Sequence, residues 1–280
     1  MPDVRTLPAS FADRVRRTTD PSFVAAVARP AATVVLLRDS PHGVEAYLLR
    51  RVTTMAFAAG MHVFPGGTVD PRDADTALQW AGPSPTAWEA RLTAETALVR
   101  SLTCAAVRET FEESGVLLAG PSPDDVVADT TGPLWEQDRA ALLDRSLAFA
   151  ELLDRRGLVL RADLLAPWTH WITPEFEERR YDTRFFVASL PAGQRARDVG
   201  GESDRAVWMR PAEAYDGFRD GSLAMLPPTA VTLSELMPYD TVADVLAAAN
   251  ERTIRPLLPR AMLGDGQIVL LMPDDEGYER

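Results

Sequence analysis

Apolar and polar positions along the chain change period several times, and the changes outline an alternation of strands and helices. Ala31 to Arg38 carries the unbroken run Val34-Val35-Leu36-Leu37, which predicts a central strand buried on both faces. Ser40-Pro41-His42-Gly43 reads as a turn, and Val44 to Arg51 as the strand returning from it. Short helices are expected over 11–18 and 22–28. A longer one is expected from about Ala94 to Glu113, where Leu98, Leu102, Ala105 and Ala106 form an apolar stripe. Leu142, Leu143, Leu147, Leu152 and Leu153 predict an amphipathic helix or helix pair over 134–156, closed by Gly157. Trp168 to Thr173 and Arg184 to Ala188 read as two further strands. Pro211 opens a helix that Gly217 or Gly221 ends. Residues 229–250 are again helical, interrupted near Pro238. The last segment, 254–272, reads as two extended pieces around Gly264-Asp265-Gly266, with Pro256 and Pro259 confining the first to an edge. Residues 70–92 are rich in Asp and Pro at first, then place Trp80, Trp88 and Leu92 in helix-compatible surroundings, with the tryptophans as packing residues. Together the pattern predicts an α/β chain.

One stretch departs from simple packing. In Ala105 to Val116, the carboxylates Glu109, Glu112 and Glu113 share one face of the predicted helix. Arg108 stands four residues before Glu112, and Gly115 follows as a helix-ending residue. Three like charges on one turn repel, and a hard divalent cation with its preference for oxygen ligands turns that repulsion into binding. A solvated acidic face is the simpler reading of such a helix alone. The upstream Phe64-Pro65-Gly66-Gly67 changes the balance, because two glycines after an apolar stretch allow close approach of backbone to a ligand.

Composition narrows the function. The 280 residues suffice for a large core, and 46% apolar with 25% charged content is ordinary for a globular protein. A net charge of −12 argues against binding to nucleic-acid backbones and leaves local arginines and metal to bind any polyphosphate. The single cysteine, Cys104, excludes an internal disulfide and reads as a small buried hydrophobe. His42, His62 and His170 are too scattered for a histidine zinc site. There is no apolar run long enough to span a membrane and no signal-peptide core near the amino end, so a cytoplasmic protein is expected. Arg179, Arg180 and Arg184 are candidates for bidentate phosphate contact. They equally suit an exposed loop pairing with its own acids.

The glycine pair and the acidic helix together resemble the Nudix box, Gly-x5-Glu-x7-Arg-Glu-U-x-Glu-Glu-x-Gly-U, where U is a bulky aliphatic residue. Arg108 to Val116 matches its second half except at Thr110, where an aliphatic residue is usual. The first half is split. Arg108 follows Gly67 by 41 positions (108 minus 67) where the pattern has fourteen, so 27 residues are inserted. The first Glu is replaced: counting forward from Gly67 gives Asp73, and counting back from Arg108 gives Arg100. Such a split box resembles the Nudix subgroup that includes animal diphosphatases acting on coenzyme A and acyl-CoA. Phe57 to Gly67 is similar to the CoA-associated signature of some Nudix enzymes, with Ala56 where that signature has Arg and with Arg50 and Arg51 nearby.

The resemblance implies a Nudix α/β/α sandwich around a mixed β-sheet, with helical insertions. It divides the chain into an extension over 1–30, a hydrolase domain over 31–220 with insertions at 70–92 and 120–160, and a C-terminal helix and hairpin over 221–280 packed on the same domain. Mg²⁺ or Mn²⁺ would be held by Glu109, Glu112 and Glu113, with the Gly67 carbonyl as a further ligand and Arg108 orienting the carboxylates. Glu202, six residues before Trp208, matches the position of an extra loop glutamate and is the first choice of general base; Glu112 is the second. Arg50, Arg51, Arg179 and Arg184 are the expected substrate contacts. The expected activity is metal-dependent hydrolysis of a nucleoside diphosphate derivative, with CoA or acyl-CoA favoured. The alternatives are dinucleotides or nucleotide sugars as substrates, or a non-catalytic Nudix-fold sensor. A homodimer is expected.

Overall fold

The computed structural model describes residues 5–7, 11–53, 58–200, 203–264 and 267–278. In chain order its elements begin with β1 (Thr6–Leu7), α1 (Ala12–Arg17), β2 (Arg29–Ser40), β3 (Gly43–Arg51), β4 (His62–Val63), β5 (Gly66–Thr68) and β6 (Trp80–Ala81). Then come α2 (Glu89–Leu92), α3 (Thr96–Ser114), β7 (Ala119–Gly120), α4 (Pro133–Leu143), α5 (Phe149–Arg155) and β8 (Val159–Arg161). The chain continues through β9 (Ala166–Ile172), β10 (Tyr181–Ser189), β11 (Ser203–Met209), α6 (Pro211–Asp220), α7 (Pro227–Leu236) and α8 (Val242–Glu251). It ends with β12 (Pro256–Leu257), β13 (Arg260–Gly264) and β14 (Gln267–Leu271).

The main sheet runs β11-β3-β2-β10-β9-β12, with β4 paired to β3 and β5 to β2. It is mixed: β2 and β10 are parallel, while β3, β9 and β11 run antiparallel to their neighbours β2, β10 and β3. The apolar run in β2 explains the layers. Side chains alternate across a strand, so Val34 and Leu36 join one core and Val35 and Leu37 the other, all 0% exposed. Tyr47 and Leu49 of β3 and Phe186 of β10 join the first core; Leu48 and Phe185 join the second. Buried residues of α3, α4 and α5 cover the first face, and those of α6, α7 and α8 the second. This is the expected α/β/α arrangement.

The chain ends meet in a separate small sheet, β1-β14-β13, over a cluster of Val15, Phe176, Ile268 and Leu270. Two expectations fail. Residues 22–28 form no helix: Val24 and Val27 are 88% and 87% exposed, so there is no apolar face to bury, and Arg180 takes the Ala26 carbonyl. Trp80 lies in a strand, paired with Leu160 of β8, because its segment completes a three-stranded sheet. Trp88 packs against Phe186, with ring centroids 6.0 Å apart. The interruption near Pro238 separates α7 from α8. Asp265 and Gly266, the expected hairpin turn, lie outside the described residues, but β13 and β14 on either side pair antiparallel.

Candidate active site

The site forms where α3 meets β5. α3 ends at Gly115, whose φ of +72° is left-handed and whose added Cβ would lie 2.2 Å from Arg197 Nη1, so glycine is favoured there. β5 pairs with β2 in the register Ala32↔Gly67 and Thr33↔Gly66. A Cβ on Gly67 would fall 2.4 Å from Glu109 Oε1, and one on Gly66 would fall 2.5 Å from the Ala32 carbonyl oxygen. The glycine pair thus lets the helix carboxylates reach the strand backbone: the Gly66 N–H donates to Glu113 Oε2 at 2.8 Å.

Arg108 organises the rest and is 11% exposed in its side chain. Its Nε and Nη2 donate to the two oxygens of Asp73 at 3.1 and 3.0 Å, and Nη2 also donates to the Thr68 carbonyl at 3.0 Å. Nη1 donates to Glu109 at 2.8 Å and to Glu112 at 3.2 Å. The fork is fully used. One cation therefore serves three buried or nearly buried acids. Burial works against the Arg108 charge, but Glu109, Asp73 and Glu112 outweigh it and hold the guanidinium protonated. Burial, with Glu112 and Asp73 adding to it against Arg108, pushes the Glu109 carboxyl up to about 7. Burial raises Glu112 as well, against Arg108. Thr110, the departure from the box, is 0% exposed and donates its hydroxyl to the Ala106 carbonyl at 2.7 Å, so the buried position stays satisfied. Cys104 is a packing residue whose thiol burial pushes up.

Among the described residues no three acidic, histidine or cysteine side chains converge on one point to hold a metal. Arg108 bonds Glu109 and Glu112, and Glu113 caps Gly66. The donor set nonetheless fits a hard divalent cation. It consists of carboxylate oxygens, its negative charge exceeds its positive charge, and burial already favours the proton on Glu109 over the bare charge.

The carboxylates line a cleft of about 840 Å³ together with Gly66, Gly67 and Arg51. Aromatic rings from distant segments, Phe64, Phe149, Trp171, Phe176 and Tyr181, form much of its wall. Glu109, Glu112 and Glu113 also face a small adjoining pocket with Gly200 and Ser203. Glu202 and Ala56 lie outside the described residues.

Of the four arginines expected at the substrate, the three on strands, Arg50, Arg51 and Arg184, divide by alternation. Arg51 and Arg179 line the cleft. Arg50, next to Arg51 on β3, is not part of its lining and makes a two-pronged pair with Asp204 at 2.7 and 2.9 Å. Arg184 corrects its expectation. Thr183 and Phe185 line the cleft, so the residue between them faces the other side of β10. There it is 3% exposed, paired with Asp182 and donating to the Leu92 and Thr93 carbonyls, which ties the end of α2 to the sheet.

Sequence reasoning missed Asp73 as a site residue, although its offset from Gly67 equals that of the first Glu in the box. It also missed Arg72 and Arg145, which line the cleft from segments whose sequence carries no signal of proximity.

Known proteins resemble this arrangement. The family described as the NUDT19 Nudix domain matches residues 84–236, which include α3 but begin after Gly67 and Asp73. The acyl-coenzyme A diphosphatase NUDT19 of Gallus gallus is 26% identical, over 89% of this chain and 79% of that protein. Its Homo sapiens counterpart is 27% identical, over 95% of this chain and 80% of that protein. The crystal structure of a Nudix hydrolase from Alicyclobacillus acidocaldarius superimposes with a TM-score of 0.68 at 28% identity, over 80% of this chain and 97% of that one. With an acidic helix packed on a glycine pair, a matching sheet and a family match over more than half its length, the chain belongs to the Nudix hydrolase family.

Proposed function

We propose that the chain hydrolyses the diphosphate linkage of CoA or an acyl-CoA, with Mg²⁺ or Mn²⁺ held by Glu109, Glu112, Glu113 and the Gly67 carbonyl. The observation that carries this is the buried set of carboxylates in surplus over Arg108, opening into an aromatic-walled cleft within the size range of organic ligand sites. Nudix hydrolases generally use divalent metal ions, and the relatives named acyl-coenzyme A diphosphatase support the substrate class. When bound, the cation neutralises the diphosphate and acidifies water. A carboxylate takes the proton of the attacking water, whose oxygen bonds to phosphorus. The bond from that phosphorus to the bridging oxygen breaks, its electron pair leaves on that oxygen, and two monophosphate esters result. Glu202 is the proposed base, supported by its neighbours Gly200 and Ser203 in the small pocket beside the carboxylates. Arg51 and Arg179 are proposed to contact the substrate's phosphates.

Two further expectations belong to the same proposal. A homodimer is supported by the edge strand β13, where Met262 and Leu263 are 49% and 42% exposed, and light scattering giving the mass of two chains checks it. A cytoplasmic setting is supported by the one buried, unpaired cysteine. No described helix is long and apolar enough to cross a membrane.

The deciding experiment offers CoA, acyl-CoA, ADP-ribose, NADH and diadenosine polyphosphates with Mg²⁺ or Mn²⁺, with EDTA and Glu113→Gln as controls. Release of 3′,5′-ADP from CoA, lost in both controls, is the expected result. Turnover of a different compound instead keeps the chemistry and discards the CoA assignment. Tight binding without metal-dependent turnover of any compound turns the reading to a ligand sensor.

A further inference from the structure

The turn between α4 and α5 brings one more cation to the carboxylates. Arg145 lines the cleft, and among the described residues its guanidinium has no hydrogen bond or ion pair. Two other arginines of the cleft are committed. Arg108 is saturated by acids and a carbonyl, and Arg72 is bound to both oxygens of Asp70 at 3.0 Å. Arg145 lines the same cleft as Glu109, Glu112 and Glu113.

Its backbone is unusual too. Arg145 has φ of +64°, a left-handed conformation that a side chain disfavours and glycine adopts freely. The strained turn is anchored at both its polar groups. The Arg145 N–H donates to the Leu142 carbonyl at 3.0 Å, and its own carbonyl accepts from Arg72 Nη1 at 3.0 Å. Asp70, which holds Arg72, also caps the short turn bearing Asp73, the residue that grips Arg108. The helical insertion is thereby tied through Arg72 to the segment that sets the acidic site. A strained residue with an uncommitted charge, fixed beside a phosphate-binding chemistry, is the pattern expected of a functional side chain.

We propose that Arg145 binds the non-bridging oxygens of the substrate's diphosphate in the cleft that the carboxylates line, with both prongs of its guanidinium. The claim rests on the diphosphatase reading of the site. Its role is to offset charge on the diphosphate as the bridging P–O bond breaks, which the acidic surroundings otherwise oppose.

The test uses the full chain and the variants Arg145→Ala, Arg145→Lys and Arg145→Gly. Arg155→Ala serves as the control, since Arg155 is exposed and pairs with Glu151 on α5. Calorimetric titration with inorganic diphosphate and Mg²⁺ is run beside titration with Mg²⁺ alone, and kcat/KM is measured on whichever substrate is turned over. The expected result is a diphosphate Kd weakened by roughly 10- to 100-fold in the Ala and Gly variants, with partial recovery in Lys. Mg²⁺ affinity stays unchanged, and the Tm of Arg145→Gly is no lower than that of the parent. Diphosphate affinity within twofold of the parent overturns the proposal. So does a matching loss of Mg²⁺ affinity, which would make Arg145 a support for the carboxylates. If the parent cleaves no organic diphosphate, the function reading fails, yet the titration still decides Arg145.

Discussion

Two charge clusters, one at the cleft and one where the end of α2 meets β10, differ in stoichiometry, and the difference separates a site from a strut. Around Arg108 three acids share one cation. Around Asp182 one carboxylate meets Arg184 and, at 2.5 Å, His170 Nε2. The proton affinities follow. Burial pushes Glu109 up to about 7 despite Arg108, whereas burial of Asp182 is overcome by the bonds from His170 and Arg184, which draw its carboxyl below the usual range. A balanced cluster is finished and fastens secondary structure. A cluster with surplus negative charge is incomplete without a proton or a cation.

The largest way to break this contrast is to neutralise single acids. Glu109→Gln, Glu112→Gln and Glu113→Gln are each expected to lower kcat/KM by roughly 10³-fold or more, as loss of charge stabilisation in phosphoryl chemistry does. Asp182→Asn should leave kcat/KM of the folded enzyme within a few-fold. Steady-state assays at fixed Mg²⁺ decide, and an equal loss at Asp182 would erase the distinction. Next in size, Arg184→Ala leaves Asp182 under-compensated and removes the tie to α2, so denaturant unfolding should show about 3 kcal/mol of lost stability with activity per folded molecule retained.

Metal should act on one cluster alone. Mg²⁺ at about 100 times its Kd is expected to stabilise the parent by about 2.7 kcal/mol, seen as a raised Tm, and to do nothing for Glu109→Gln. The two clusters should also slope oppositely with pH. Between its ordinary value and about 7, folded Glu109 holds a proton that the unfolded chain has released. Metal-free protein is therefore more stable at the acid end of that window. That stability falls as pH rises towards 7, a slope that Glu109→Gln should abolish. Asp182 contributes in the other sense: its stabilisation is present at neutral pH and fades only as pH falls through its lowered value. Smallest of all, Thr110→Val should change stability by no more than about 1 kcal/mol and leave kcat unaltered, because the hydroxyl only back-bonds within α3.

Much of this was legible along the chain because it depends on local spacing. Residues three and four apart share a helix face whatever surrounds them, so Glu109, Glu112, Glu113 and Arg108 could be grouped without coordinates. The four-residue apolar run of β2 required cover on both faces, and Gly115 marked the end of α3. Even Asp73 stood at the right offset, and only its chemistry, Asp in place of Glu, kept it from being recognised. The arginines were read less well. Arg50 and Arg51, or Arg184 and its neighbours, differ by one position in a strand, and one position exchanges the cleft for the opposite face.

The sequence alone determined the acidic helix, the glycine approach to it and the layered core, since each follows from periods and turns within one stretch of chain. Tertiary structure alone decided that Asp73 saturates Arg108 across 35 residues and that Arg184 is a strut. It also decided that Arg145 and the aromatic wall reach the same cleft. Those relations depend on which distant segments the folded sheet brings together, and no local pattern encodes a distance between segments that meet only after folding.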